Sequence, residues 1–280
     1  MPRVNKNPSF GDFDRGFATS LGVKALFMLD VQSGCIVEAV TGDKYAITSG
    51  TVVSTPEGYA IQYDGTQQQT ITLRPNFFTS NSRDWYVAGR IAPTAQQAGN
   101  PGAIFGVSAS SGNQTHYGIG WDNSATPLVG AVQLTTTAAA YITGSGKAAA
   151  LRQFNTVFAN TEPGSGTNGK AWVDGVARAA TPLTGAQNTG DEVVFGAQHR
   201  SAGFLRQAKG WLLWGAIIYY PTVISNSYVD DNVMWSLYAN DFPYNLFRRT
   251  RRLWPAAAAV ATKAPPPFQR TIKFLPRRYR

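Results

Sequence analysis

Cysteine, histidine and long hydrophobic runs are scarce in this 280-residue chain, and each scarcity excludes a class of protein. Cys35 is the only cysteine, so there is no internal disulfide or cysteine-rich zinc site, and we interpret Cys35 as a small buried hydrophobic residue. His116 and His199, the two histidines, have no partner at zinc-ligand spacing. The apolar run at 211–220 is about half a membrane span, and the first twenty residues contain no signal-peptide core. We therefore expect a soluble protein with no membrane segment and no export signal.

Residues for catalysis are also few. Glycosidases need two carboxylates held several ångströms apart, but no two acids alternate along a strand at that spacing. The chain has four glutamates, at Glu38, Glu57, Glu162 and Glu192. Glu192 follows Asp191, and neighbours on a strand point to opposite faces. Phosphate-binding glycine motifs are absent as well. We expect a non-enzymatic protein with no catalytic residues.

Short alternating or apolar runs, separated by turn-forming residues, recur through most of the chain. They cover 24–30, 59–65, 69–73, 84–91, 103–109, 116–121, 129–134, 155–160, 170–176, 192–198 and 210–220. Runs of this number and spacing are typical of a sandwich or barrel and not of βαβ units. The sequence therefore predicts an all-β fold.

One helix is predicted near the C-terminus, beginning at Ser225 or Ser227 and ending before Pro243. Val229, Val233 and Leu237 recur at helical spacing. This apolar stripe is expected to lie on the sandwich.

The net charge of +9 belongs to one end of the chain. Residues 248–280 hold ten of the 25 basic residues and none of the 16 acidic ones. The first 247 residues are therefore nearly neutral, with 15 basic and 16 acidic side chains. The excess positive charge is therefore confined to an appendage, and it does not indicate a nucleic-acid-binding face on the body of the protein.

Four stretches, in order along the chain, resemble one family. They are "GVKALFMLDVQSGCIVEAVTG", "GYAIQYDGTQQQTITL", "GKAWVDGVA" and "GWLLWGAIIYYPTVISNSYVDDNVMWSLYANDFPYNLF". The order and spacing resemble the concanavalin A-like, laminin G-like jelly-roll family, in the form found in tailed-bacteriophage virion proteins. The resemblance implies a sandwich of two antiparallel sheets over residues 21–247, with one short helix near the C-terminus. Phage relatives commonly place a proline soon after the last Phe, whereas here Arg248 and Arg249 follow Phe247 and the proline is Pro255.

The chain is predicted to have three segments. The first twenty residues lack period and mix Gly, Pro, Asp and Phe, which indicates an extended N-terminal arm at 1–20. The resemblance covers the sandwich at 21–247, and a change of composition marks a basic tail rich in proline, alanine and aromatic residues at 248–280. The arm offers Phe10 and Phe13 for docking on a partner, although it could equally pack on its own domain. The fold does not settle the function, because this sandwich hosts lectins, hydrolases and structural modules.

One loop, "WDNSATP" (121–127), offers groups that a calcium or glycan site would use. The resemblance implies that calcium, where bound, takes an aspartate and nearby loop oxygens, here Asp122 and Asn123. Trp121 could stack on a sugar ring. The alternative, which we favour, is that Asp122 and Ser124 form an Asx turn while Trp121 fills the core. We expect no cofactor and no metal site, with calcium as the one open alternative.

Three uses compete for the tail: contact with nucleic acid, a solvated tail, or an anchor on a neighbouring protein. Aromatic and apolar groups interrupt its charges every few residues, which favours the anchor because aromatics and arginine dominate interface energetics. The candidate docking residues are Arg248, Arg249, Arg251, Arg252, Trp254, Phe268, Arg270, Lys273, Phe274, Arg277, Arg278, Tyr279 and Arg280.

These inferences predict a structural protein of a bacteriophage virion, a capsid-decoration, head or tail component assembled in the host cytoplasm. Its expected partners are other virion proteins (capsid, neck or tail) and symmetric copies of itself. The alternatives are a carbohydrate-binding adhesin or receptor-binding module, which would contact host-surface glycan, and nucleic-acid contact through the tail.

Overall fold

The computed structural model describes residues 9–73, 77, 85–96, 101–108, 116–122, 124–134, 140–142, 146–160, 171–178, 192–200, 203–205, 207–219 and 227–247. The chain divides into two compact units, Met1–Arg248 and Arg249–Arg280. The whole predicted tail, 248–280, lies outside the described residues.

Within these residues, strands make up most of the regular structure. The strands are β1 (Val23–Asp30), β2 (Cys35–Glu38), β3 (Lys44–Ala46), β4 (Thr51–Thr55), β5 (Gly58–Asp64), β6 (Gln69–Thr72), β7 (Trp85–Pro93), β8 (Gly102–Ser108), β9 (His116–Trp121), β10 (Leu128–Leu134), β11 (Ala140–Ile142), β12 (Lys147–Ala148), β13 (Asn155–Asn160), β14 (Ala171–Val173), β15 (Val176–Arg178), β16 (Glu192–Phe195), β17 (Gln198–Arg200), β18 (Gly203–Leu205) and β19 (Lys209–Tyr219). The α-helices are α1 (Arg15–Ser20) and α2 (Ser227–Ala239), and two 3-10 turns span Phe10–Asp12 and Tyr244–Leu246.

The strands form two antiparallel sheets, as predicted. In the described part of the chain the large sheet has ten strands in the order β15-β14-β13-β7-β19-β1-β2-β3, with β5 paired to β19 and β4 to β5. The small sheet has seven, in the order β11-β10-β9-β8-β16-β6, with β12 paired to β10. Strands β17 and β18 form a separate hairpin. The prediction of an all-β sandwich with one helix near the C-terminus is confirmed.

Large side chains of the small sheet pack into gaps left by glycines of the large sheet. A Cβ atom at Gly215 would lie 2.5–2.7 Å from the ring of Phe105, and one at Gly210 would lie 2.2 Å from the ring of Trp121. Both rings are fully buried. The glycines are therefore required for close approach between the sheets, and the rings act as knobs that fix how the sheets pack.

The outer face of the large sheet carries a second apolar cluster, which α2 and the N-terminal segment cover. Leu237 of the predicted stripe is buried there beside Met234, and Val233 is partly buried. The side chain of Val229 lies outside the described part of the structure. The indole N–H of Trp172 on β14 donates a 2.8 Å hydrogen bond to Asp231 of α2. This bond ties the helix to the sheet beneath it.

Replacing Trp172 by Phe removes this N–H while keeping an aromatic ring in place. Because the acceptor is a carboxylate, we expect the free energy of unfolding to fall by about 1–3 kcal/mol, as measured by urea denaturation. The matched control is Trp211→Phe, which removes a 2.9 Å bond to the neutral amide of Gln62 at a partly exposed site. Equal losses in the two variants would contradict a special role for the Trp172 bond.

The segment 9–20 is not the extended arm that the sequence suggested. Phe10 and Phe13 pack edge-on against Phe247 of the same chain, with ring centroids 5.9 and 5.3 Å apart. The side chain of Asp14 caps α1 by accepting from the N–H of Phe17. The cap favours a helical turn, and the two rings hold the segment on the sandwich. Residues 1–8 lie outside the described residues.

Candidate functional site

Four charged side chains meet around the β14–β15 hairpin: Glu57, Arg90 and Asp174 from the large sheet, and Lys147 from β12 of the small sheet. We call them the charged cluster. Alternation along β7 places Arg90 on the same face as Ala88, which belongs to the apolar cluster under α2. The cluster therefore borders the helical layer.

Arg90 is the centre of the charged cluster. Its Nε and Nη2 atoms donate to the two carboxylate oxygens of Glu57 at 2.5 Å, and its Nη1 donates to Thr156 Oγ1 at 2.7 Å. The ring of Phe154 lies under the guanidinium, with its centroid 5.9 Å away. Only 12% of the Arg90 side chain is exposed, against 26% of Glu57. This is a two-pronged ion pair that is largely shielded from water.

Asp174 lies at the tip of the β14–β15 hairpin. It has φ 51° and Gly175 has φ 79°, the left-handed pair that a two-residue Asp-Gly turn requires. The Asp174 carboxylate accepts from the N–H of Thr156 at 2.8 Å and from Lys147 Nζ at 2.5 Å. Lys147 also donates to Asn155 Oδ1 at 3.1 Å. The hairpin tip is thus held to β12 and β13.

The cluster is balanced in charge and its carboxylates are engaged. Burial opposes the charge on Arg90, but the hydrogen bonds and negative charge of Glu57, with Asp174 behind them, raise the pKa of Arg90 above its ordinary value. Both oxygens of Glu57 accept from Arg90, and both oxygens of Asp174 accept hydrogen bonds. Carboxylates held in this way suit a clamp between strands better than a proton transfer.

A pair of aromatic rings, Trp235 exposed and Tyr238 partly buried, adjoins the hairpin. Trp235 of α2 is 51% exposed, and its ring centroid lies 5.9 Å from that of Tyr238, at 43° between the planes. Both rings lie over Gly175, where an added Cβ would come within 2.6 Å of Trp235 and 2.7 Å of Tyr238. We call Trp235 and Tyr238 the aromatic platform. Gly175 directly follows Asp174, so the platform neighbours the charged cluster.

The aromatic platform was not predicted from the sequence, although the sequence contains a signal for it. Trp235 lies off the apolar stripe of α2, on the side that carries Asn232, Ser236 and Asn240, all exposed. A tryptophan among polar residues on the outer side of a helix is not explained by core packing.

Trp121 and Asp122 are placed where they serve the fold. Trp121 is fully buried in the core between the sheets, so its ring presents no face to a sugar. Asp122 Oδ1 accepts from the N–H of Ser124, the hydroxyl of Ser124 and the N–H of Leu128. An oxygen that faces three donors does not fit a calcium ligand. Asn123 lies outside the described residues.

The other candidate residues divide between the body and the tail. Phe10 and Phe13 lie on their own sandwich, as described above. The tail candidates lie outside the described residues: Arg248, Arg249, Arg251, Arg252, Trp254, Phe268, Arg270, Lys273, Phe274, Arg277, Arg278, Tyr279 and Arg280. Cys35 is partly exposed and was expected to be buried.

Within the described ranges, no three His, Cys, Asp or Glu side chains are grouped so that they could hold a metal ion. None of the helices found there combines the length and the apolar character needed to cross a membrane.

No protein-family model matches the chain, and no curated protein matches it. Among solved structures it is similar to the Trypanosoma rangeli sialidase in complex with sialic acid, with 12% identity and a TM-score of 0.53, over 78% of this chain and 33% of the sialidase. It is also similar to a structure described as a receptor binding domain, with 11% identity and a TM-score of 0.53, over 80% of this chain and 52% of the other.

At these identities the similarity shows the fold alone, a jelly-roll-like β-sandwich. The chain spans about a third of the length of the sialidase and about half that of the receptor binding domain.

Proposed function

We propose that this chain is a non-enzymatic structural protein of a bacteriophage particle, with a laminin G-like sandwich that is tethered by residues 248–280 to a neighbouring protein. The sandwich is the displayed part and the basic tail is the anchor. The anchor binds an acidic, partly apolar surface of another virion protein, located in the capsid, the neck or the tail of the particle.

The observation that carries this proposal is the segregation of charge along the chain. Residues 248–280 hold ten basic and no acidic side chains, and residues 1–247 hold 15 basic and 16 acidic ones. A neutral body has no electrostatic attraction of its own for an acidic partner, whereas the tail does. The aromatic residues of the tail supply the contacts that dominate most interfaces.

The body offers support for a role without catalysis. The carboxylates of the charged cluster are occupied by Arg90, Lys147 and Thr156, which leaves them poorly placed to exchange protons. The body also ends in a fixed position, because Phe247 pairs with Phe13 and contacts Phe10.

Deleting residues 248–280 is expected to leave a folded body that no longer joins particles. Both apolar clusters and the residues that fix Phe247 lie before the deletion, so thermal unfolding of the body should be unchanged. The measurement is the occupancy of the protein in purified particles, compared between full-length and truncated chains produced in the same host.

A second variant separates charge from chain length: Arg248, Arg249, Arg251 and Arg252 all replaced by glutamate in the full-length protein. We expect the same loss of incorporation, since the reversed charges repel an acidic partner. Incorporation of the truncated chain at full occupancy would overturn the anchor. Cross-links formed through Lys263 and Lys273 would identify the partner.

Nucleic acid is the alternative partner for the same tail. The dependence of DNA binding on salt concentration distinguishes this alternative from a protein anchor. Binding through ~6–10 phosphates would weaken by about 10³–10⁵-fold between roughly 50 and 200 mM salt. Titrating the full chain with duplex DNA at these two salt concentrations measures this slope. A steep slope with tight binding would favour genome contact over a protein anchor.

A further inference from the structure

The solvent side of α2 combines an exposed aromatic surface with a row of polar groups. Trp235 is the most exposed large apolar side chain in the described residues, at 51%. Asn232, Ser236 and Asn240 follow one another at four-residue spacing and lie in a row beside it. All three are exposed. Within the row, Asn240 Nδ2 donates to the carbonyl oxygen of Ser236 at 2.8 Å and to its hydroxyl at 3.2 Å, so the row is a hydrogen-bonded strip of exposed amide and hydroxyl groups.

The platform is held rigidly from below. The rings of Trp235 and Tyr238 rest on Gly175, and the hairpin tip that contains Gly175 is held by Asp174 to Thr156 and Lys147. Aromatic surfaces that need no rearrangement lose little entropy on binding. Asp174 and Lys147 of the charged cluster thus also fix the position of the platform.

We propose that the aromatic platform binds carbohydrate, with an uncharged hexopyranose stacked on Trp235 and its hydroxyls bonded to the polar row. A pyranose has an apolar face of C–H groups and a rim of hydroxyls. An indole face beside amide and hydroxyl side chains matches both parts. This inference is independent of the tail and adds a ligand to the displayed body.

The size and chemistry of the surface favour a sugar over a protein partner. The apolar surface consists of the two rings and Val176, which is half exposed next to Gly175. A stable protein interface needs about 800 Å² on each partner with an apolar centre. Here exposed polar side chains occupy the rest of the solvent side of α2, so the apolar surface is confined to these few groups and suits a ligand the size of a sugar ring.

The charged residues near the aromatic platform favour a neutral sugar over a charged one. Helix α2 contains Asp230 and Asp231 and no basic residue. Lys147, which lies close to the hairpin tip, is paired with Asp174. Asp231 accepts from the indole of Trp172, and Arg178 adds a positive charge on β15, the strand that contacts α2. Charges of both signs therefore adjoin the platform, which favours no charged sugar, and we expect neutral glycans to bind.

The test uses the full-length chain on an array that displays neutral glycans ending in glucose or galactose beside sialylated ones. Multivalent display compensates for the weak affinity of a single stacking site. Neutral glycans are expected to bind, and Trp235→Ala is expected to weaken that binding by about tenfold. The affinity is measured by titrating each variant with the best neutral oligosaccharide while following tryptophan fluorescence.

The matched control is Tyr59→Ala, because Tyr59 is an exposed aromatic on β5 that shares the face of Ile61, opposite to α2. It should bind as the native chain does. Thermal unfolding of each variant verifies the fold.

Failure of the native chain to bind any neutral glycan, or native-like binding by Trp235→Ala, would overturn the inference. So would self-association of the native chain that Trp235→Ala abolishes. A chain lacking residues 248–280 should still bind glycan, so the two proposals fail separately.

Discussion

Replacing Arg90 by alanine is expected to lower the free energy of unfolding by about 2–4 kcal/mol, measured by urea denaturation. The substitution leaves Glu57 without both of its N–H donors and removes a donor from Thr156. Breaking a fully buried pair usually costs about 3–5 kcal/mol. We expect a smaller loss because Glu57 is 26% exposed and water can reach it in the variant.

The double variant Glu57→Ala with Arg90→Ala gives the coupling between the two side chains. Its loss should be smaller than the sum of the single losses, because no unpaired charge remains. The control is Lys44→Ala, which breaks a pair with Asp30 in which the lysine is 56% exposed. That loss should stay below about 1 kcal/mol. A loss for Arg90→Ala no larger than the loss for Lys44→Ala would show that the charged cluster contributes little to stability.

The strands that could be predicted are those whose side chains alternate or are apolar over many residues. Strands β9 and β13 begin and end at the predicted residues, 116–121 and 155–160. Strands β2, β3 and β4 were not predicted. They have three to five residues, and β3 and β4 are largely exposed. Such strands form because neighbours pair with them, and pairing leaves no local pattern in the sequence.

The order of the strands within each sheet could not be predicted from the sequence either. Strand β19, the last strand described, lies between β7 and β1 at the centre of the large sheet. The fold is therefore complete only when distant parts of the chain meet, which no local signal encodes.

The charged cluster illustrates the same limit. Glu57 is 33 residues from Arg90 in the sequence, and Lys147 is 27 from Asp174. The stretch "GKAWVDGVA" contains at Asp174 and Gly175 the Asp-Gly pair typical of a hairpin turn, but it gives no reason to pair Asp174 with a lysine. By contrast, the burial of Trp121 and the Asx turn at Asp122 follow from local chemistry, and the structure has both.

Phe105→Ala is expected to cause the largest loss of stability among the substitutions considered, about 3–5 kcal/mol. The ring is fully buried between the sheets, with the rings of Phe27 and Phe195 at centroid distances of 6.2 and 5.4 Å. Removing it opens a cavity, because rings held by both sheets cannot collapse into the gap. Urea denaturation of the native chain and the variant measures the loss.

Gly215→Ala tests the same contact from the opposite sheet. Its Cβ would lie 2.5–2.7 Å from three atoms of the Phe105 ring, so we expect a loss of about 1–3 kcal/mol from overpacking. In the Phe105→Ala background those ring atoms are gone, and the added methyl group fills part of the cavity. Gly215→Ala should then be neutral or stabilising, which reverses the sign of its effect.

The control is Gly210→Ala, whose Cβ clashes with Trp121 and not with Phe105. Gly210 lies five residues from Gly215 on β19, about 16 Å along the strand. Its destabilisation should therefore be the same with and without Phe105. Loss of stability from Gly215→Ala in both backgrounds would show that the strand itself needs a glycine at this position. A reversal confined to Gly215 would show that the fit of one ring into one gap holds the two sheets in register.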